Sequence, residues 1–342
     1  MPKKTKDITQ ILSLSKINIA LAAKEVKEGE VVAFGTETVY GLGANALDKK
    51  AVAKIFEVKG RPSDNPLIVH IHSLLQLKDL VVEIPDIAYT LAKKFMPGPL
   101  TIILKKSKNL PSEVTAGLDT VAIRMPAKKA ALDFLYKCGT PLAAPSANIS
   151  GFVSPTTANH VLADLNGKLK YILDTGECPV GLESTVIDLT VSPPTILRQG
   201  AISQSQIEVL IGSVAVSANS AKSDTPKAPG MKYRHYAPKA SVIFSSFHNK
   251  MYEFISAAYD AELAKNNNPV ILCLGQHVDK YGSRKMHIVG SSLKDYAKNL
   301  YSALRDCDTV GYKTIIAEGI PSKGIGAAII NRLMKASSNN II

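Results

Sequence analysis

The sequence contains no tryptophan, and its few cysteines lie far apart, at Cys138, Cys178, Cys273 and Cys307. They form no C-x-x-C pair, which argues against a disulfide framework or a structural zinc site and is typical of a reducing compartment. No apolar run approaches the length of a membrane span. No apolar segment follows the charged start MPKKTKDITQ, so we expect a cytoplasmic protein with no signal peptide and no membrane partner.

Two nucleotide-binding motifs are also missing. There is no G-x-x-x-x-G-K-[ST], so an ATP site in this chain is not a P-loop. Gly324-Ile325-Gly326 opens a predicted helix after a strand, but the third glycine of a dinucleotide fingerprint is absent. His70 and His72 lie on one face of a predicted strand without a matching carboxylate or thiolate. We therefore predict no metal held by protein ligands alone.

Positive charge is abundant, since 41 lysines and arginines face 29 aspartates and glutamates, a net charge of +12. Such an excess favours anionic partners such as nucleotides or RNA through the summed field of the protein. Charge that only keeps the protein in solution is the alternative. The chain of 342 residues, 46% of them hydrophobic, is long enough for two globular domains.

Residues 17–211 alternate β-rich runs with amphipathic windows, which predicts a layered α/β architecture. Strands are expected at 31–34, 66–71, 100–105, 120–125, 141–144, 171–174, 184–189 and 195–198. Helices are expected at 51–60, 87–96, 130–139 and 160–167. Gly60 and Gly139 stand where left-handed helix caps are common, and Thr156 or Thr157 can cap the last helix.

The rest of the chain divides into two parts. Residues 213–240 begin with linker composition, but Met231, Tyr233, His235 and Tyr236 then bring aromatic and basic groups, so we predict that this segment touches a site. Residues 241–342 predict a smaller α/β unit with right-handed parallel crossovers. Its strands are expected at 241–245, 269–275, 285–290 and 313–319, and its helices at 249–264, 292–306 and 325–336.

Polar residues cluster in turns that follow predicted strands. Thr36 and glycines follow the first strand and suit a small polar ligand, although an ordinary turn explains them too. Lys59 and Arg61 flank Gly60 and suit a polyphosphate; a solvated helix end is the alternative. Arg124 closes a strand and must find an anion, either a ligand carboxylate or a residue of the protein. Ser146 and Asn148 suit phosphate or ribose oxygens, or only a turn.

Taken in order, these residues resemble the threonylcarbamoyl-AMP synthase family, whose catalytic domain is called YrdC-like. The motifs are TETVYGLGANA, KGRPSDNPLIVHI, MPGPLTIIL, AGLDTVAIRMP, AAPSANISG and GLESTVIDL. PGMKYRHYAP and the unit ending GIGAAIINRLMKAS resemble the long, two-domain form. The resemblance implies a YrdC-like twisted sheet with helices over residues 1–212. A linker or active-site lid at 213–240 would join it to a Rossmann-like α/β domain at 241–342. Gly35 departs from the family pattern, which usually has proline there.

The resemblance also implies roles for individual residues. The family's catalytic signature corresponds to Lys59, Arg61, Ser146 and Asn148. ATP would be held by Arg61, Asn65, Thr120, Ser146, Ser154 and Arg198, with Tyr236 closing over the nucleotide. Threonine would be held by Thr36, His70, Arg124, the backbone of Ala144, and Ser184.

The implied reaction joins L-threonine, bicarbonate and ATP into threonylcarbamoyl-AMP and pyrophosphate, the first step of a tRNA modification. It makes the chain a nucleotidyltransferase, with Mg²⁺ carried by the ATP phosphates and Glu37 or Glu183 as candidate bases. A tRNA threonylcarbamoyltransferase would be the downstream partner, and the positive charge also allows weak RNA binding. Two alternatives stand beside it. One is a binding module for double-stranded RNA or nucleotides without catalysis. The other is a carbamoyl-transfer domain of the hydrogenase-maturation type, which this chain lacks the upstream segments to match.

Overall fold

The computed structural model describes residues 8–217, 226 and 235–342. Within this part the chain forms two compact units. The first comprises residues up to 217 apart from two short segments, 151–153 and 180–182. The second comprises those two segments and residues 235–342. None of the described helices is long and apolar enough to cross a membrane.

The first unit contains an 11-stranded sheet. Its strands are β1 (Gln10–Leu12), β2 (Val32–Gly35), β3 (Tyr40–Asn45), β4 (Ile68–His70), β5 (Leu100–Lys105), β6 (Thr120–Arg124), β7 (Leu142–Ala143), β8 (Tyr171–Leu173), β9 (Thr185–Asp188), β10 (Thr195–Arg198) and β11 (Ala215–Val216). Their order across the sheet is β1-β8-β2-β3-β7-β4-β6-β5-β9-β10-β11, with parallel and antiparallel neighbours mixed. All eight strands expected in this region are present.

The α-helices of this unit include all four that were expected, together with others that were not. They are α1 (Lys16–Lys27), α2 (Lys49–Lys59), α3 (Leu77–Leu80), α4 (Asp86–Phe95), α5 (Ser112–Thr115), α6 (Lys129–Cys138), α7 (Ala158–Leu165) and α8 (Gln204–Ile211). The Asp48 carboxylate caps α2 by accepting from the Lys50 amide, and Gly60 ends it with φ 59°. Thr157 caps α7 and Gly139 ends α6, as predicted.

Strand and helix residues together form the core of the first unit. One cluster joins α2, α4 and α7 to the sheet, with Val52, Leu91 and Val161 fully buried. Phe34 and Phe134 lie in a second cluster on α1 and α6, their ring centroids 5.2 Å apart. The middle strands of the sheet are therefore covered on both faces. The turns at their ends are held in place by this packing.

The second unit contains a smaller parallel sheet. Its strands are β12 (Ser241–Phe244), β13 (Pro269–Cys273), β14 (Met286–Ile288) and β15 (Thr314–Ala317), and its helices are α9 (Met251–Ala264), α10 (Leu293–Val310) and α11 (Ile325–Ala336). The strand order is β12-β15-β13-β14, with every neighbouring pair parallel. This arrangement confirms the predicted Rossmann-like α/β unit.

Candidate functional site

The turn between β2 and β3 is built on threonine hydroxyls. The Thr36 Oγ1–H donates to the Val39 carbonyl at 2.7 Å, and the same oxygen accepts from the Thr38 and Val39 amides. The Thr38 hydroxyl lies 2.9 Å from Thr36 Oγ1. Because the Thr36 proton is already donated, Thr38 is the donor of this pair. The turn is thus rigid, and the hydroxyls of both threonines are buried.

Arg124 ends β6 and reaches this turn. Its Nη1 donates to Thr38 Oγ1 at 2.8 Å, and its Nη2 donates to Glu37 Oε1 at 2.6 Å. Its Nε donates to the Gly98 carbonyl at 3.3 Å. The other Glu37 oxygen accepts from the Ala127 amide at 2.9 Å. The guanidinium is therefore held in one orientation, and both Glu37 oxygens are already hydrogen-bonded, which makes this carboxylate a poor general base.

His70 lies beside Arg124, because His70 and Arg124 face each other across β4 and β6. Burial, with the Arg124 charge second, lowers the pKa of His70 to about 3. The ring is therefore neutral, and since Nδ1 lies 3.2 Å from the Ile68 carbonyl, Nδ1 carries the proton and Nε2 is an acceptor. The Ile68 carbonyl also accepts from the Ala144 amide at 2.9 Å. The amide hydrogen of Ala144 is thus already used.

Ser184 connects the neighbouring strands to the same region. Its hydroxyl lies 2.7 Å from Thr101 Oγ1, and Thr101 faces Arg124 across β5 and β6. Arg198 donates to Ser184 twice, from Nη2 to the hydroxyl and from Nε to the carbonyl, each at 3.0 Å. All the residues predicted to hold threonine therefore lie on adjoining strands and turns of one sheet, and Arg198 joins them from the predicted ATP set.

Lys59 is the last residue of α2, and its side chain points inward. Its Nζ donates to the carbonyls of Ser146 and Asn148, each at 2.5 Å. Lys59 is 1% exposed, and no ion pair joins it to a carboxylate of the described residues. Burial lowers the pKa of its ammonium well below the usual range, and the Arg61 charge lowers it further. These hydrogen bonds connect Lys59, Ser146 and Asn148, three residues of the predicted catalytic set.

Arg61 holds the turn that follows α2. Its guanidinium donates to the Asn65 and Pro66 carbonyls at 3.2–3.4 Å. The Asn65 side chain is 1% exposed, and its Oδ1 accepts no hydrogen bond from the described part of the chain. A buried amide oxygen without a donor costs free energy, so this atom is a candidate acceptor for a water or for a ligand group.

Two further predicted ATP residues, Ser154 and Thr120, belong to the same unit. The Ser154 hydroxyl donates to Glu183 Oε1 at 2.7 Å, and Glu183 directly precedes Ser184 in the sequence. Thr120 begins β6, four positions before Arg124, and faces Lys105. Among the described residues no hydrogen bond ties the Thr120 hydroxyl to the other predicted residues.

Tyr236 belongs to the second unit, in contrast to the other predicted site residues. It is buried at a positive φ of 64°, and its ring stacks on Tyr301 with centroids 5.5 Å apart. The Arg332 guanidinium carbon lies over the Tyr236 ring, 5.2 Å from its centroid. Met231 and Tyr233, the other residues singled out near it, lie outside the described residues.

Gly35 ends β2 directly before the threonine turn. A Cβ at this position would lie 2.2 Å from Thr175 Oγ1 and 2.8 Å from the Tyr40 ring. Tyr40 and Thr175 fill this space instead: the Tyr40 hydroxyl donates to Asp174 Oδ1 at 2.9 Å, and the Thr175 hydroxyl donates to the Gly35 carbonyl at 3.1 Å. A side chain at position 35 would therefore require Thr175 and Tyr40 to move.

Sequence reasoning missed two residues that join the cluster. Thr38 bridges Thr36 and Arg124, and Thr101 bridges the Arg124 strand and Ser184. Thr38 lies inside a motif that was recognised, but its role depends on turn geometry. Thr101 is a single hydroxyl within the apolar run LTIILK, and a buried polar residue in such a run is a signal for a hydrogen-bonded site.

The described residues contain no cluster of three or more histidines, cysteines, aspartates or glutamates that could hold a metal ion. The site instead contains hydroxyl, amide and cationic side chains, which can donate hydrogen bonds to carboxylates and phosphates.

Comparison with known families assigns both parts of the chain. Residues 24–200 match the family described as "Telomere recombination", and residues 202–338 match "Threonylcarbamoyl-AMP synthase, C-terminal domain". The chain is 49% identical over 331 residues to the threonylcarbamoyl-AMP synthase of Pyrococcus abyssi, which covers 95% of each chain. It is 45% identical to that of Bacillus subtilis, over 98% of this chain and 97% of the relative.

Solved structures agree with this assignment. The crystal structure of Sua5 from P. abyssi, complexed with L-threonine, matches with a TM-score of 0.93 at 47% identity. The match covers 98% of this chain and 99% of that one. Both units therefore have counterparts in one solved chain.

Proposed function

Because the chain belongs to the threonylcarbamoyl-AMP synthase family, we propose that it forms threonylcarbamoyl-AMP and pyrophosphate from L-threonine, bicarbonate and ATP. The observation that carries this proposal is the buried Lys59 ammonium, bonded to the Ser146 and Asn148 carbonyls and without an ion-pair partner among the described residues. Burying such a charge costs free energy, and a phosphate group bound nearby would offset that cost. The activity is that of a nucleotidyltransferase.

Threonine binds, in this proposal, at the turn between β2 and β3. The guanidinium of Arg124, already oriented by Glu37, donates its remaining N–H groups to the threonine carboxylate. Thr36 and Ser184 contact the amine and the hydroxyl. The neutral His70 offers Nε2 as an acceptor for a donor group of threonine. Of Ala144 only the backbone carbonyl remains for the ligand, since its amide is used.

ATP binds on the Lys59 and Arg61 side of the cluster. The cations face the phosphates, and Asn65, Ser146 and Asn148 supply further polar groups. Ser154, Arg198 and Thr120 complete the set named for ATP. Mg²⁺ would accompany ATP and neutralise part of the phosphate charge.

The chemistry has two steps. The threonine amine takes up CO₂ derived from bicarbonate, loses a proton and becomes a carbamate. A carbamate oxygen then forms a bond to the α-phosphorus of ATP while the bond from that phosphorus to the bridging oxygen of pyrophosphate breaks. This transfer depends on positioning and on neutralising phosphate charge more than on a strong base. The product is then used, we propose, by a tRNA threonylcarbamoyltransferase.

Segment 213–240 is proposed to gate the site, with Tyr236 closing over the nucleotide. The stacking of Tyr236 on Tyr301 supports a role for the second unit as the anchor of this segment. Since β11 (Ala215–Val216) pairs with β10, the truncation that tests gating ends after Ser217 and keeps this strand. Unchanged turnover and nucleotide affinity in the truncated chain would contradict the gating role.

Pyrophosphate release tests the main proposal. The protein is supplied with Mg·ATP and bicarbonate, with and without threonine, beside a Lys59→Ala/Arg61→Ala variant. Lys54→Ala is the matched control, because Lys54 lies on the same helix but is exposed. Threonine-dependent release that disappears only in the double variant supports the synthase. Folded protein without such release would remove the enzyme assignment and favour the RNA-binding alternative.

A further inference from the structure

The second unit contains a polar network at the carboxyl edge of its parallel sheet. Glu318 follows β15 directly and is completely buried. Its Oε1 accepts from the Leu274 amide at 2.6 Å, and its Oε2 accepts from the Tyr281 hydroxyl at 2.9 Å. His277 Nδ1 lies 3.0 Å from Oε2. A carboxylate buried so completely needs these donors, since an isolated charge inside a protein is costly.

This network lies at the ends of β13 and β15, which are neighbours in the sheet. After β13 the chain turns towards β14, at the edge of the sheet. After β15 it turns towards α11, which packs on β12 at the opposite edge. The loops that follow β13 and β15 therefore diverge, although these strands are neighbours. In open parallel sheets the crevice where such loops diverge is the usual position of a ligand. Glu318 and His277 lie in these two loops.

His277 is oriented as a functional histidine often is. The carboxylate of Glu318 binds Nδ1, so Nε2 points away from it, and the His277 side chain is 21% exposed. A histidine whose Nδ1–H is donated to a carboxylate presents Nε2 as an acceptor in a defined direction, which suits the P–O–H group of a hydrogen phosphate. The Tyr252 ring packs edge-on against the imidazole, with centroids 5.3 Å apart, and restricts its rotation further.

Tyr296 supplies an independent observation. It lies in the first turn of α10, which follows β14, and it is 0% exposed. Its hydroxyl has no hydrogen-bond partner in the described part of the chain. Because α10 begins in the loop that follows β14, Tyr296 lies at the same carboxyl edge of the parallel sheet as Glu318. A buried hydroxyl left without a partner is rare in native proteins and points to a missing ligand or water.

The surrounding loops favour an anion. Gly324 begins α11 without a side-chain cap, so the first amides of this 12-residue helix are not capped by a side chain. Lys323 precedes it and is exposed. Two acidic groups of this edge are already engaged, Glu318 by the network described above and Asp295 by Ser291 and Ser292. A third, Asp279 in the loop after β13, is exposed.

We propose that this crevice binds a small phosphate-bearing ligand, with His277, Tyr296, Lys323 and the first amides of α11 as its contacts. The site is separate from the cluster of the first unit and does not depend on the proposed synthase activity. It gives the second unit a binding function, either for a free inorganic phosphate species or for the phosphate of a nucleotide.

The test uses the full chain and an imidazole signal as a local reporter. Side-chain ¹⁵N spectra are recorded while inorganic phosphate, pyrophosphate or AMP is added, and the His277 signal is identified by its loss in His277→Gln. We expect a saturable shift of this signal, and the probe that causes it at the lowest concentration identifies the source of the phosphate. No shift of the His277 signal with any of the three, at millimolar concentration and in folded protein, would overturn the proposal.

Variants separate binding from folding. Lys323 is exposed, so Lys323→Ala should leave folding intact. It should weaken phosphate binding by about tenfold, since a charge-assisted contact is lost. Tyr296→Phe removes a hydroxyl without a partner, so it should weaken binding while leaving the midpoint of unfolding unchanged or raised. Lys265→Ala, at the end of α9, is the control and should bind as wild type. Wild-type affinity in both Lys323→Ala and Tyr296→Phe would exclude these contacts and the site.

Discussion

Glu37 and Arg124 form a buried ion pair, with the carboxylate oxygen 2.6 Å from the guanidinium nitrogen and the two side chains only 7% and 4% exposed. Glu37 comes from the β2–β3 turn and Arg124 from the end of β6. The pair thus fixes the turn against the strand that carries the proposed carboxylate-binding group. The guanidinium is oriented before threonine arrives, which lowers the entropy lost on binding.

Glu37→Ala should weaken both stability and threonine use. Removing one member of a buried pair leaves the other charge uncompensated and costs ~3–5 kcal/mol of unfolding free energy. Arg124 also loses its orientation, so the KM for threonine should rise more than the KM for ATP. Denaturant unfolding and threonine-dependent pyrophosphate release measure the two effects.

The exposed pair Lys129–Asp133 is the control for this variant, because it has the same charges at 2.8 Å but lies at the surface. Asp133→Ala should change the unfolding free energy by less than ~0.5 kcal/mol. An equal effect of Glu37→Ala and Asp133→Ala would contradict the orienting role of Glu37.

His70 should make the stability of the first unit depend on pH. Its folded pKa is about 3, whereas an unfolded histidine has a pKa of about 6.5. Between these values the unfolded chain binds the extra proton, so stability is full above about pH 6.5 and falls as the pH drops. From pH 6.5 to 5 this group should cost ~2 kcal/mol. Unfolding curves of wild type and His70→Asn at both pH values measure it, and parallel losses in the two proteins would rule it out.

Lys59→Met should abolish turnover although the side chain keeps its size. The Ser146 and Asn148 carbonyls lose their shared donor, and the phosphates lose a cation, so we expect pyrophosphate release to fall by at least ~100-fold. Lys54→Met, on the exposed side of the same helix, should retain activity within about twofold. Comparable activity of Lys59→Met and Lys54→Met would show that the buried ammonium has no part in the reaction.

Tyr236 should stabilise the second unit as well as act in the proposed lid. Tyr236→Ala removes a buried ring that stacks on Tyr301, and should destabilise this unit by ~3 kcal/mol. Tyr236→Phe keeps the stack and most of this stability. Phe247→Ala, which removes a ring that is 57% exposed, is the control. Amide hydrogen exchange in α10 and α11 reports the difference, and unchanged protection in Tyr236→Ala would refute the anchoring contact.

Much of the fold was predictable because apolar, β-branched runs mark buried strands. LTIILK became β5 over the expected residues, and each expected strand of the second unit is present. Glycine and threonine caps set the helix ends in the same way. These signals are local, and the local preference agrees with the final structure.

The strands that were not predicted depend on their neighbours. β3 contains YGLGAN, whose glycines weaken an isolated strand, and it forms between β2 and β7. β11 has two residues and lies in a segment that reads as linker, yet it pairs with β10. Tertiary pairing decides such short strands, and a single sequence does not show it.

The candidate site was predictable as residue types but not as contacts. The resemblance named Lys59, Ser146 and Asn148, yet only the folded chain shows that the Lys59 ammonium binds two backbone carbonyls of that loop. In the same way, only the folded β2–β3 turn shows that the Thr38 hydroxyl contacts both Thr36 and Arg124. Which of several nearby donors meets which acceptor is set by packing in three dimensions.

The absence of a side chain at Gly35 couples the end of β2 to the segment that follows β8. Thr175 Oγ1 and the Tyr40 ring occupy the space in which a Cβ of residue 35 would lie. A larger residue at position 35 therefore requires these side chains to move, and with them the hydrogen bond from the Thr175 hydroxyl to the Gly35 carbonyl. A change at the end of β2 thus reaches Asp174, the partner of the Tyr40 hydroxyl, across the sheet.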